Sequence, residues 1–147
     1  MQIYIRKAKE DDLEQIVGLC NKCFSDAWSI ATYVKVLKNK KNLCLVACRG
    51  QKIIANVLGY LLAPEGEIQA LAVLPEYRKK GIASLLMEKI IQDFKNRHIQ
   101  DIFLEVRESN LLAIKLYQRY GFVQEGLRRD YYQKPIESAL IMHRKMK

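Results

Sequence analysis

The chain has 147 residues, a length that predicts a single domain over 1–147 with a sizeable core. Half of the residues are hydrophobic and 28% are charged, with only 7 Gly and 3 Pro, which excludes disordered, collagen-like and mucin-like chains. A formal charge of +9 points to anionic partners without naming one; a nucleic acid, an anionic cofactor or a ribonucleoprotein surface fits, and so does a plain solvated basic surface. No apolar run approaches the roughly 18 to 20 residues that cross a bilayer, and the opening Met-Gln-Ile-Tyr-Ile-Arg-Lys holds no secretory apolar core, so the expectation is a cytoplasmic protein without membrane contact.

In chain order, alternation predicts a strand over Gln2 to Lys7, then a helix from about Glu10 to Phe24 with Leu13, Ile16, Val17 and Cys20 on one face. Asp11 and Asp12 suit the positive end of that helix, whereas Lys9 is a poor cap. A loop carrying Trp28, the only tryptophan, leads to a second helix near Ile30 to Lys38. Strands follow at Leu43 to Cys48 and Ile53 to Leu62, turning at Arg49-Gly50-Gln51, and a further strand spans Glu67 to Val73 after a turn at Pro64-Glu65-Gly66. Beyond Leu74-Pro75 a basic stretch opens a helix running to about Arg97, whose apolar residues Ile82, Leu85, Leu86, Ile90 and Phe94 recur at helical spacing. A strand at Asp101 to Val106, a helix at Leu111 to Tyr120 and two strands, near Phe122 to Asp130 and Ser138 to Arg144, complete an interleaved α/β pattern without repeats.

The spacing Cys20-x-x-Cys23 resembles half of a zinc site, but Cys44 and Cys48 read as strand residues and do not complete it. All four read as reduced core thiols, with no metal.

Three constellations can carry chemistry. In the first, Arg78-Lys79-Lys80-Gly81-Ile82-Ala83 joins a strand to a helix; free backbone N–H groups at a helix start, small residues and three cations suit a phosphate, although solvated basic residues at a helix start look the same. The spacing is neither a Walker A loop nor a dinucleotide fingerprint, which disfavours nucleotide hydrolysis and hydride transfer. The second is Glu105, set by alternation on the same strand face as Phe103 and Arg107; it is either a half-exposed carboxylate paired with Arg107 or a general base held on a rigid element. In the third, Ala113, Leu116, Tyr117 and Tyr120 share a helix face, so Tyr117 is a core aromatic or a functional phenol; Asn110 is the natural N-cap and Gly121 the residue past the C-cap.

Together these segments resemble the GNAT superfamily of N-acetyltransferases, and within it the RimI-like N-terminal protein acetyltransferases. Glu67 to Val73, Pro75 to Ala83, Leu104-Glu-Val-Arg107, Ser109-Asn110, Ala113 to Tyr117, Gly121-Phe122 and Arg128-Arg-Asp-Tyr-Tyr132 occur in family order and spacing, across nearly the whole chain. The resemblance implies an α/β fold with a mixed, mostly antiparallel seven-stranded sheet, splayed at its middle around acetyl-CoA and flanked by about four helices. It implies that the backbone of Arg78, Lys79, Lys80, Gly81, Ile82 and Ala83 holds the pyrophosphate, that Leu71, Ala72 and Val73 pair with the pantetheine arm, and that Asn110 contacts the cofactor. It implies Glu105 as general base and Tyr117 as general acid for direct attack by a neutral amine.

The implied acceptor is the N-terminal amine of a protein, a ribosomal protein beginning with a small residue such as Ala, gripped by Trp28, Tyr131 and Tyr132. An α-amine, with an ordinary pKa near 8, sheds its proton more readily than a lysine near 10.4. The family's Pro-Trp-Ser-Glu reads here Ala27-Trp28-Ser29-Ile30, and its Glu-Asp after the paired tyrosines reads Glu137-Ser138, differences that bear on peptide preference. Acetylation of a small amine or a Lys side chain is the rival within the fold. A basic ribosome- or nucleic-acid-binding module is the rival outside catalysis, disfavoured because no helix interleaves Lys and Arg with stacking aromatics. The expected assembly is a monomer or weak dimer.

Overall fold

A computed structural model describes residues 2–146. Seven strands form one sheet in the order β1-β2-β3-β4-β5-β7-β6, comprising β1 (Tyr4–Lys7), β2 (Asn42–Arg49), β3 (Lys52–Leu62), β4 (Glu65–Val73), β5 (Asp101–Arg107), β6 (Val123–Gln133) and β7 (Ile136–Lys145). Four helices accompany them: α1 (Leu13–Cys23), α2 (Ile30–Lys38), α3 (Ile82–Asn96) and α4 (Leu111–Arg119). All neighbouring strands are antiparallel except β4 and β5, which the α3 crossover joins in parallel. Among the described residues no helix is long and apolar enough to cross a membrane.

Strands β2 and β3 are apolar on both faces because helices cover both. On β3, Asn56 faces α1, where it lies between the thiols of Cys20 (3.9 Å) and Cys44 (4.0 Å). Gly59, of opposite parity, faces α3; a Cβ there would stand 2.8 Å from Ile90 and 2.9 Å from Phe94. The missing side chain therefore lets α3 press onto the sheet, with Ile82, Leu86, Ile90 and Phe94 wholly inside. Leu85 departs from expectation: it is 44% exposed, because the buried stripe runs through Leu86, Met87, Ile90 and Ile91 and leaves its neighbour on the rim.

Three further expectations need adjustment. The first turn of the predicted Glu10 helix is a 3-10 turn over Glu10–Asp12, held by Asp12 rather than by its poor cap. Asp12 Oδ2 accepts from the Lys9 N–H (2.7 Å), and its carboxylate is gripped by Arg6 at 2.6 and 2.9 Å. The four cysteines are free, but only Cys20 and Cys48 are buried, Cys23 and Cys44 being half-buried. Finally, β6 runs three residues beyond Asp130 because a bulge absorbs the irregularity: Arg129, Asp130 and Tyr131 stand opposite Ser138 alone, and Asp130 takes φ +51°.

The sheet opens at its centre. Pairing of β4 with β5 covers only Glu65–Ile68 against Asp101–Leu104 and then stops. At that point Leu58 pairs with Ala70 but Gly59 with Ile68, so Gln69 is an extra residue in β4. Such a bulge bends and twists the strand. Strand β5 instead stays with β7 as far as Arg107. Beyond Ile68, β4 therefore has an open edge.

Candidate active site

The open edge carries unpaired backbone groups. A bond of 2.9 Å from the Leu74 N–H to the Ile54 carbonyl fixes the phase of β4 against β3. Alternation then directs Ala72 toward Asn56 on β3, and the N–H and C=O of Leu71 and Val73 into the gap. Of the three residues expected to meet the pantetheine arm, Leu71 and Val73 thus offer their own backbone groups, while Ala72 contributes a buried methyl. The Val73 carbonyl is covered by two side chains that sequence reasoning did not link to it, Arg78 Nε at 3.0 Å and the Cys23 thiol at 3.4 Å.

The strand leads through a 3-10 turn at Pro75–Tyr77 to the basic loop and α3. Lys79 (φ +62°) and Gly81 (φ +80°) both adopt the left-handed conformation, which curls the backbone so that its N–H groups converge. Helix α2 is capped by Ser29 and α4 by Asn110, but α3 has no side-chain cap and no acidic residue in its first turn. Its first internal acceptor bond is Leu85 N–H to Gly81 C=O, which leaves the N–H groups of Ile82, Ala83 and Ser84 free. Nothing lies within 4 Å of where a Gly81 Cβ would stand. Uncapped donors, a helix dipole, free space and the cations of Arg78, Lys79 and Lys80 fit a diphosphate. Asn110 has its Oδ1 engaged with the Ala113 N–H (3.2 Å), so its capping role is met within the chain.

Glu105 projects from β5 beside the gap. Its expected partner Arg107 is occupied elsewhere; the charge facing it is Arg128 of β6, with Nε 2.8 Å from Oε2. That approach is outside hydrogen-bond alignment, so the pair is an ionic contact and the buried Oε2 keeps an unmet acceptor capacity. Tyr131 and Tyr132, whose rings meet edge to face at 5.1 Å, both lie near enough to Glu105 to feel its charge. Burial and then the Glu105 charge push both phenols up, Tyr132 to about 12. The bulge is what allows two consecutive residues to address one group.

Tyr117 arrives from α4. Its hydroxyl has no hydrogen-bond partner among the described residues, and burial, followed by the nearby Tyr132, raises its pKa well above that of a free phenol. Tyr120, one turn on, donates toward the Ser84 carbonyl and Glu88 (both 3.2 Å) and so holds α4 against the first turn of α3. Trp28 is the least integrated candidate: its ring lies 5.3 Å from that of Tyr33 and reaches the others only through its loop. A cavity of about 310 Å³ lined by Lys7, Lys38, Asn42 and Arg97 lies at the far end of α3 and includes no candidate residue.

This arrangement can seat an anion on α3, pair an extended arm with β4, and confront its end with a carboxylate and phenols. The sequence model of the acetyltransferase (GNAT) family matches residues 13–122. The chain belongs to that family. It is thus an acetyl-CoA-dependent acyltransferase of the RimI-like kind. It is similar to the [ribosomal protein bS18]-alanine N-acetyltransferase of Haemophilus influenzae, 31% identical, with 89% of this chain and 90% of that one covered. It is also similar to an N-alpha-acetyltransferase of Saccharolobus solfataricus, 29% identical over 95% and 91% of the two chains. The solved ribosomal-protein-S18-alanine N-acetyltransferase of Escherichia coli superposes with a TM-score of 0.92 at 26% identity, covering 99% of this chain and 95% of that one.

Proposed function

We propose that this acetyltransferase modifies the N-terminal α-amine of a protein, a ribosomal protein beginning with a small residue such as Ala. The observation that carries the reading is the grouping of Glu105, Tyr131 and Tyr132 beside the open edge of β4, in a chain similar over its length to two N-terminal acetyltransferases.

Acetyl-CoA, when bound, supplies an acetyl group activated as a thioester. The residues that would hold it are the backbone of Arg78 to Ala83 at the diphosphate, Leu71 and Val73 along the arm, and Asn110 through the part of its amide not used in capping. An N–H on the open edge of β4 would donate to the thioester oxygen, where a preorganised donor is most effective. Glu105 accepts the proton of the incoming ammonium or amine, directly or through one water, because only a neutral amine has a lone pair to attack with. Tyr117 would supply a proton to the departing thiolate; its raised pKa keeps it protonated through neutral pH, as a general acid requires. Trp28, Tyr131 and Tyr132 would line the path of the peptide, with aromatic faces that suit a small apolar first side chain.

Incubation with acetyl-CoA and peptides that differ only in their first residues, followed by mass spectrometry, tests this reading. The expected product is a singly Nα-acetylated peptide, fastest with Ala or Ser first. Acetylation confined to lysines or to small free amines would overturn it.

A further inference from the structure

Arg107 lies two residues beyond Glu105 on the same strand face, at the end of β5. Its guanidinium meets acceptors from two separate parts of the chain. Nη1 donates to the Pro135 carbonyl (3.0 Å) and Glu137 Oε1 (3.2 Å), while Nη2 shares its hydrogens among Asp26 Oδ2 (2.9 Å), the Lys134 carbonyl (3.2 Å) and Ser25 Oγ (3.3 Å). The plane also covers the Tyr132 ring at 4.2 Å. Ser25 Oγ donates to the Lys134 carbonyl, and Glu137 Oε2 accepts the Ser109 N–H at 2.6 Å, just before α4. One side chain thus joins the loop between α1 and α2, the hairpin between β6 and β7 and, through Glu137, the start of the helix that carries Tyr117.

The joined segments have little else in common. Ser25 and Asp26 belong to a loop with no regular structure, and Lys134 and Pro135 to the tip of a hairpin on the sheet's outer edge. Neither has a buried apolar core of its own. Apart from the Ser25 Oγ bond to the Lys134 carbonyl, their mutual position rests on a cation with a planar, five-donor head, which lysine cannot reproduce. The Arg107 side chain is only 22% exposed, so its two carboxylate pairs are less screened than surface pairs.

We propose that Arg107 is a positioning residue that locks these two segments at the separation a peptide acceptor needs, and so sets acceptor affinity rather than the chemical step. This rests on the peptide-acetylating function proposed above. Arg107 touches no reacting group; it acts through Tyr132, whose ring it backs, and through Trp28, two residues beyond Asp26.

The test compares Arg107→Lys and Arg107→Ala with Asp26→Asn, the last a milder break at an exposed partner. Arg107→Ala is expected to raise peptide KM about tenfold with kcat and the affinity for coenzyme A changed less than about threefold, and Arg107→Lys to recover only part of the loss. Hydrogen exchange of the protein alone supplies a readout independent of any acceptor: amides over 24–29 and 133–137 should exchange faster in both Arg107 variants and in Asp26→Asn, with α3 unchanged. Unaltered exchange in those segments, or a fall in kcat at constant peptide KM, overturns the inference. If wild-type protein acetylates free amines but no peptide, the proposed function fails instead, while faster exchange would still uphold the lock. Should Arg107→Ala not fold, Asp26→Asn and Arg107→Lys carry the same measurements.

Discussion

The guanidinium of Arg128 stands 2.8 Å from the carboxylate of Glu105, reaching it from β6 over the intervening β7. On the proposed mechanism an incoming amine shares that carboxylate with a cation that is itself more than half exposed and also lies over the Tyr131 ring at 5.6 Å. Replacing Glu105 with Gln keeps the shape and removes the proton acceptor. Turnover should fall by roughly 10²- to 10⁴-fold, with coenzyme A affinity within about twofold of wild type. Steady-state kinetics paired with calorimetry reads both, and undiminished turnover at neutral pH removes Glu105 from the role of base.

Tyr117 should separate function from stability. Its ring is buried while its hydroxyl, without a partner among the described residues, keeps an edge toward solvent, so Tyr117→Phe removes no hydrogen bond within the protein and should change stability by less than about 1 kcal/mol. The same change should cut kcat by at least about tenfold if the phenol donates a proton. A melting temperature lowered by several degrees would indicate a hydrogen bond that the structure does not contain.

The raised phenols also set the response to alkali. Tyr33, Tyr117 and Tyr132 are all pushed above their ordinary value by burial first. Below pH ~10 each is neutral in both folded and unfolded chains, so its contribution is fully present there. As pH rises further the unfolded chain ionises first, and stability is lost through the folded values, about 12 for Tyr132. The thiols of Cys20 and Cys44 are raised by burial in the same way, so denaturant midpoints should be level from pH ~7 to 8, begin to fall near pH ~9 and fall steeply above pH ~10, less steeply in Tyr117→Phe.

Two glycines offer a matched pair. Gly18 lies exposed in α1 with nothing within 4 Å of the place a methyl would occupy, and Gly18→Ala should stabilise by about 0.5–1 kcal/mol without affecting catalysis. Gly81→Val, although equally free of neighbours, forces a β-branched residue to φ +80° in the loop proposed to seat a diphosphate. Coenzyme A affinity should drop at least about tenfold by calorimetry, with a stability cost of about 1–3 kcal/mol. Full affinity would contradict the phosphate seat on α3.

Asp12 gives an acid-side counterpart. Its carboxylate lies below the ordinary range because Arg6 hydrogen-bonds it, so its contribution is present above pH ~4 and disappears as pH falls through the lowered folded value. Asp12→Ala leaves the Lys9 N–H without an acceptor and Arg6 without its carboxylate, with only the Lys7 carbonyl at 3.0 Å still accepting from it, and should cost roughly 3 kcal/mol. Urea denaturation at neutral pH measures it, and the difference from wild type should vanish in strong acid.

Periodicity made most of the architecture legible, because helices and strands whose faces are buried on one side must repeat at 3.6 or 2 residues. The stripe from Ile82 to Phe94 and the alternation of Ile102, Leu104 and Val106 are read directly in this way. The basic loop, Glu105 and Tyr117 were legible as candidates through residue type and family resemblance, but their setting was not. Nothing local to Glu105 indicates Arg128, 23 positions away, over Arg107, which shares its strand face. Asp26 and Glu137 look like ordinary surface acids until the fold gathers both around Arg107. The bulge at Gln69 leaves no mark either, since Gln69 fits the polar phase of the strand it interrupts.

That single additional residue divides the molecule's possibilities. Were Gln69 deleted, β4 and β5 would be free to zip together along their whole length, giving a continuous sheet whose interior hydrogen bonds were all satisfied. Such a protein could be sturdier than this one and yet lack the slot proposed for its donor, which makes the proposed catalytic role depend on a fault in an otherwise regular weave.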